Sequence, residues 1–503
     1  MLPEVPDRAL TELGRTEGGP DTLALLVRDQ DTRRLLMLRA VLDAAESADR
    51  RVCSAGARRR LREDWGLLAA ADGDGDGDGD GDGDGVGAGG MAEVGAMPVA
   101  SAAPDTHLSP ARARLLHPLV GPWARDCLRG LDTAPEPRAE QPIRQLAHDL
   151  AHFSALAAVA AARAGIPFTV RLTARDGVLV LPSLGALRTA APGDVPVDLV
   201  HRRERLTLRQ PGAATNIVVR LENGVGAWSG APAWTPAYAL PGLRPGAGPM
   251  PLDDLDPYRT VSGGPRYHGL SGSTTLDDAE RKRWLGAWSG TAAALRLGGE
   301  QRVAEAVGLL RCLVPLAEPP CASPGTRGGS CSGTRRDAFG AVLSSTPPTP
   351  ATLAATLVHE LQHAKLAALG DMLTLHRAGP RARYFAPWRP DPRPYDGLLQ
   401  GAYSHLALAD FFQRSALTVT RQAHRESAWA LHARYREQVG AVLPALVGSG
   451  DLTARGRRFV DQMVAVFERL DEHPAPRGHV ARAKAYVEAA RALWEARWVR
   501  SMG

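Results

Sequence analysis

The chain has 503 residues, 44% of them apolar, with 60 Lys plus Arg against 55 Asp plus Glu and a formal charge of +5. That is enough apolar material for one large core or two to three ordinary ones, at roughly 150 residues per domain. It holds no run of about 18 apolar residues of the kind that crosses a membrane, and its start, MLPEVPDRALTELGRTEGG, lacks the basic and apolar regions of a secretory signal, so cytoplasmic residence is expected.

The basic balance does not point to nucleic acid. Lysine occurs only at 282, 365 and 484, and the remaining basic residues are arginines scattered through an Ala-, Gly- and Pro-rich composition. No run such as ERKRW, Glu280 to Trp284, is long enough or interleaved with aromatics to track phosphates. Cys53, Cys127, Cys312, Cys321 and Cys331 are odd in number and contain no C-x-x-C pair, so they read as thiols.

In chain order, Thr22 to Val52 repeats apolar residues at three and four residue intervals, which predicts one or two amphipathic helices. Residues 1–71 are expected to form a helical segment packed on the main domain. Asp72 to Gly85 alternates Asp and Gly without the fixed ligand register or anchoring apolar positions of a calcium repeat. A flexible acidic linker or insertion over 72–104 is the expectation.

Residues 105–415 read as an α+β catalytic region. Helical periodicity in Ile143 to Gly165 gives way to alternating apolar and polar residues, predicting three to five antiparallel strands between Phe168 and Trp228. Helices resume at Thr275, a Pro-, Gly- and Ser-rich loop covers Glu318 to Arg335, and DAFGAVLSS (337–345) reads as a short strand. Residues 416–503 are expected to be helical, with Ser449 and Asp451 as turn and cap candidates. The fold class is therefore α+β, predominantly α-helical, with a small antiparallel sheet.

The stretch TLVHELQHAKLAAL, Thr356 to Leu369, carries H-E-x-x-H. On a helix His359 and His363 lie one turn apart, so both imidazoles reach a single ion. Zinc and peptide hydrolysis are the usual meaning, with Glu360 as the base that polarises metal-bound water. A second pair with this spacing, His148 and His152, sits opposite the stripe of Leu146, Leu150 and Phe153 and is expected to face solvent. The third ligand must come from downstream, because Leu366 and Leu369 occupy the Gly and His positions of the metzincin pattern. Of His376, His405, Glu426, His424 and His432, His405 is chosen, since Leu399, Tyr403, Leu406 and Phe411 would carry it inward on a helix.

The run from DAFGAVLSS through the H-E-x-x-H helix, followed by RYFAPWRPDPRPYDGLLQGAYSHLALADFFQR, resembles the actinobacterial H-E-x-x-H family of peptide-modifying proteins. The likeness extends to LDDLDPYRTV, LRCLVPL, GVLVLPSLG, RRLLMLRAVLDAA and SGDLTARGRRFV, and so covers most of the chain outside the Asp-Gly tract. It implies 2-oxoglutarate-dependent β-hydroxylation of a ribosomally made precursor peptide, alongside other maturation enzymes of the same pathway, with Fe(II), 2-oxoglutarate and O2 as cofactors. His359, His363 and His405 would then form the metal face, and Glu360 would support it from behind. A cation is needed for the distal carboxylate of 2-oxoglutarate, and Arg393, then Arg389, offer the bidentate fork. Tyr403 and Gln400 are candidates for hydrogen bonds to cofactor or substrate. The strand before the metal helix could pair with an extended peptide through Phe339, Gly340 and Ala341, with Arg336 meeting an acidic group. Two alternatives stand beside this: a zinc endopeptidase, and a non-catalytic peptide-binding accessory with a structural metal.

Overall fold

The computed structural model describes residues 4–73, 108–132, 140–222, 226–259, 270–319 and 330–498. Most of the expected Asp-Gly linker, most of the Pro/Gly/Ser loop, and Cys321 lie outside these residues.

The N-terminal part is helical: α1 (Asp7–Gly14), α2 (Pro20–Ser47), α3 (Ala55–Asp72), α4 (Pro110–Leu115), α5 (Val120–Asp132) and α6 (Glu140–Arg163). Proline at the first position of α2 costs no hydrogen bond, and Ser54 caps α3 by accepting from Ala57 N–H. The expected amphipathic stretch is one helix that serves two cores. Leu23 and Leu26 near its start join the core around the H-E-x-x-H helix, while Leu38, Val41 and Ala45 pack with α3, α5 and α6.

Against the three to five antiparallel strands expected between Phe168 and Trp228, the described residues hold seven: β1 (Phe168–Ala174), β2 (Val178–Leu181), β3 (Gly185–Arg188), β4 (Val195–Arg202), β5 (Arg205–Arg209), β6 (Ile217–Leu221) and β7 (Ala227–Trp228). With β8 (Trp234–Pro236) they build two antiparallel sheets, β1-β4-β5-β6-β7 and β2-β3-β8. Alternation decides the faces: Val170 and Leu172 turn inward while Arg171 turns out to pair with Asp198 across the ladder. Ala155, Ala158 and Val159 of α6 cover the inner face.

A third sheet was not expected. After β9 (Tyr238–Leu240) and β10 (Met250–Leu252) come α7 (Asp278–Ser289), α8 (Thr291–Arg296), α9 (Glu300–Leu309), β11 (Cys312–Leu316), β12 (Ser332–Gly333) and β13 (Ala341–Ser345). The order is β12-β13-β11-β10-β9, with β11 parallel to both β10 and β13. Strands buried on both faces lose the alternation that sequence reading depends on, and β11 and β13 are buried at every position.

The remainder is helical: α10 (Pro350–Met372), α11 (Tyr395–Thr418), α12 (Gln422–Gly440), α13 (Leu443–Val447), α14 (Ala454–Arg469) and α15 (Arg477–Trp498). α11 runs unbroken through residues 415 and 416. The expected cap at Ser449 or Asp451 is instead Thr453, whose hydroxyl accepts from Gly456 N–H. Among the described residues no helix is long and apolar enough to cross a membrane.

Candidate metal centre

Thr349 starts α10 by accepting from Thr352 N–H, with Pro350 at the first helical position. Leu353, Leu357, Leu361 and Leu369 are buried, which fixes the rotation of the helix and turns His359 and His363 to one side. Their rings stand nearly perpendicular with centroids 4.7 Å apart, and the two Nε2 atoms are 3.1 Å apart. Two imidazole nitrogens bound at about 2.1 Å and at a right angle to one ion would be separated by about 3 Å, so this spacing suits a shared ion. His363 Nδ1 lies 3.1 Å from Gln400 Oε1. An amide oxygen only accepts, so the ring proton sits on Nδ1 and the Nε2 lone pair faces His359.

His405 approaches from α11, its ring 5.5 Å from that of His359. Trp388 holds one side of it at 4.5 Å and Tyr435 another at 5.1 Å, both edge-on. His359 keeps 26% of its side-chain surface accessible, yet crowding by protein atoms, then His363 and His405, holds its pKa well below the usual value. Burial, then His363 and Arg434, pushes His405 down to about 3. Both rings are therefore neutral near pH 7, as ligands must be. His359 Nδ1, His405 Nδ1 and Glu360 Oε2 are buried without hydrogen-bond partners among the described residues, and buried polar atoms of this kind call for a partner.

Glu360 is buried, and its Oε1 accepts from Ser332 Oγ at 2.7 Å and lies 4.0 Å from His359 Nε2. Burial raises its pKa, with His363 and the hydroxyls of Ser332 and Thr334 opposing. Other downstream candidates are engaged elsewhere: His432 with the Ala409 carbonyl, Glu426 with His479, and His376 beside Asp396 and Tyr395.

Several expectations are corrected. Tyr403 is fully buried and donates its hydroxyl to Leu13 O; two residues from His405 on a helix, it faces the opposite side. Gln400 has its side-chain oxygen on His363 Nδ1. Phe339 is buried in the core, and Ala341 is paired to Cys312 inside the sheet, not at an edge. Gly340 does need its positive φ of 94°, but the close approach is internal, since a Cβ there would meet Arg311 at 2.7 Å and Leu309 O at 3.2 Å. The edge on that side belongs to β12, next to Glu360. Arg336 is bound to Asp371, twelve residues and about 18 Å along the helix from His359. Arg389 pairs with Asp391 at 3.0 Å, and Arg393 reaches the same carboxylate only at 3.6 Å, with a buried Nε that has no acceptor among the described residues.

Of the second histidine pair, His148 joins Arg144 in binding Asp194, whereas His152 turns inward. Its ring is 4.7 Å from Tyr258, and burial lowers its pKa to about 4, because the segment carrying Tyr258 covers that side of α6.

Sequence reading missed Trp388, Gly397 and Gly401. A Cβ at Gly401 would meet the Trp388 ring at 2.4 Å, and one at Gly397 would meet the Arg393 guanidinium at 2.9 Å. With His405 these glycines form an i, i+4, i+8 row on α11, a groove in which the PWRPDPRP segment lies against the third histidine. Two glycines four apart in an otherwise bulky helix are the signal that marks it.

No family model matches the chain, and no curated protein matches it.

Proposed function

We propose that this chain is an Fe(II)- and 2-oxoglutarate-dependent hydroxylase acting on a β-carbon of a residue in a ribosomally made precursor peptide. The observation that supports the metal half of this reading is the 3.1 Å approach of the His359 and His363 Nε2 atoms, with the His405 ring 5.5 Å from that of His359. The peptide half rests on the likeness of the H-E-x-x-H, YFAPWRPDPRP and LLQGAYSH stretches to the peptide-modifying family.

Bound iron with 2-oxoglutarate and O2 supplies the oxidising chemistry, in which C–H becomes C–OH while succinate and carbon dioxide leave. His359 and His363 would hold the ion, His405 would move in as the third ligand, and Gln400 would keep His363 in the ligating tautomer. Arg393 has capacity for a second carboxylate and is the group that would grip 2-oxoglutarate. Trp388 shields His405 from water. Glu360, with Ser332, supports the site from the β12 side, where an extended peptide could add to the sheet.

One observation favours the zinc peptidase instead: Glu360 stands 4.0 Å from His359 Nε2 with a raised pKa, as a hydrolytic base requires. Purified protein incubated with a precursor peptide encoded beside its gene, Fe(II), ascorbate and 2-oxoglutarate separates the two by mass. A gain of one oxygen with matching succinate supports hydroxylation; cleavage that is independent of 2-oxoglutarate and abolished in Glu360→Gln supports the peptidase. Unmodified peptide that still binds supports the accessory role.

A further inference from the structure

A second cluster of donor atoms lies on the other face of the mixed sheet. β10 and β11 are parallel with Leu252 opposite Leu313, and both leucines turn into the core beside α10. Neighbouring residues in a strand face opposite ways. Asp253, one residue past that pair, and Cys312, one residue before it, therefore turn to the far face, where Cys312 packs with Leu119 and Val314. Asp253 N–H donates to Leu313 O at 2.8 Å, which fixes the carboxylate's position. His117, in the turn between α4 and α5, closes the group from above.

The atoms are placed as ligands are. His117 Nε2 is 3.0 Å from Asp253 Oδ2, and the ligand atoms of His117, Asp253 and Cys312 all lie within 4.8 Å of one another. Among the described residues this group, not the three histidines of the first centre, meets that criterion. The Asp253 Oδ2 atom is buried, and the polar side chains beside its carboxylate are His117 and the Cys312 thiol. Ligands about 2.1 to 2.3 Å from a common ion stand about 3 to 4 Å apart, so the His117–Asp253 separation already suits a shared ion and the Cys312 thiol lies within a small adjustment of it.

We infer that His117, Asp253 and Cys312 form a separate binding site for a zinc-class divalent ion. The mixed imidazole, carboxylate and thiolate set suits zinc and disfavours magnesium or calcium, which take oxygen ligands. One carboxylate and one thiolate neutralise the ion's two charges. Binding releases the Cys312 thiol proton to solvent, and the His117 ring proton moves from Nε2 to Nδ1, giving up the 3.3 Å contact in which Nδ1 accepts from Leu119 N–H. Arg114, buried and close to the same thiol and carboxylate, balances the remaining charge of Asp256. His117 and Asp253 also line a cavity of about 530 Å3 together with Arg114 and Val159, which has room for a water or a ligand group as a fourth ligand. The ion would tie the α4–α5 turn to the sheet that carries β13 and leads into α10.

Cobalt(II) tests this independently of the first centre, because an all-histidine site gives no thiolate-to-cobalt charge-transfer band. The full chain, stripped with a chelator and titrated with cobalt(II), is expected to develop that band. It should vanish in Cys312→Ser, persist in His359→Ala, and require at least about tenfold more metal in His117→Ala. Circular dichroism reports whether each variant is folded, and His117→Ala decides the matter if Cys312→Ser does not fold. Absence of the band in the unaltered chain, its survival in Cys312→Ser, or unchanged metal affinity in folded His117→Ala overturns the inference.

Discussion

A single amide decides which nitrogen of His363 can bind metal. Gln400 Oε1 accepts a hydrogen bond from His363 Nδ1, and partners of this kind are worth about 10- to 100-fold in metal affinity. Gln400→Leu is therefore expected to weaken metal binding by that factor, measured by calorimetric titration, with little change in thermal stability. Gly401→Ala acts on the third histidine instead. Its Cβ would lie 2.4 Å from the Trp388 ring, so the tryptophan must leave His405, at about 1–3 kcal/mol of overpacking. The expected result is a lower midpoint in urea together with weaker metal binding. Retention of both would mean that Trp388 has another seat.

At the scale of elements, four pieces meet around one buried charge network. Lys365 of α10 donates to Glu305 of α9 at 2.8 Å and to the carbonyls of Thr16 and Glu17. Arg302 of α9 bonds Thr16 O, Glu305 and Asp410 of α11. The network sets the distance between α10 and α11, hence between the H-E-x-x-H pair and His405. Lys365→Ala leaves Glu305 with one cation and takes the lysine donor from the Glu17 carbonyl, while Thr16 O keeps Arg302, and a loss of about 3–5 kcal/mol in denaturant unfolding is expected. The motif and the helical nature of α10 and α11 are legible in the sequence, because both follow from local spacing and apolar content. The interior position of β13 is not. A five-residue apolar strand looks the same at an edge as between two neighbours, and its partner β11 lies 29 residues earlier, counting from Cys312 to Ala341.

For the molecule as a whole, pH and metal offer two readouts. Burial raises Asp64 to about 6 from 3.8, against the opposing Ser154 and Arg60. The folded state then holds more protons than the unfolded one between those values, so this group's contribution to stability falls as pH rises from about 4 to about 6. By about 1.36 kcal/mol per unit the change is on the order of 2–3 kcal/mol. Relative to the parent, Asp64→Asn should gain stability across that window and hold the gain at pH 7, read from urea midpoints at pH 4, 6 and 7. Added Fe(II) or zinc should raise the melting temperature by mass action. A double His359→Ala, His363→Ala variant should lose that part of the rise which belongs to the first centre.

The sequence by itself determined the helical, α+β character, the antiparallel strands after Phe168, and the placing of His359 and His363 one turn apart on one helix, since each depends on the order of neighbours along the chain. It also marked His405 correctly as inward-facing, from the apolar residues around it. Only the tertiary structure decided that Tyr403 points away, that Gln400 serves His363, that His152 is covered by Tyr258, and that His117, Asp253 and Cys312 meet. Those outcomes depend on which surfaces pack together across tens to hundreds of residues, and no local periodicity records that.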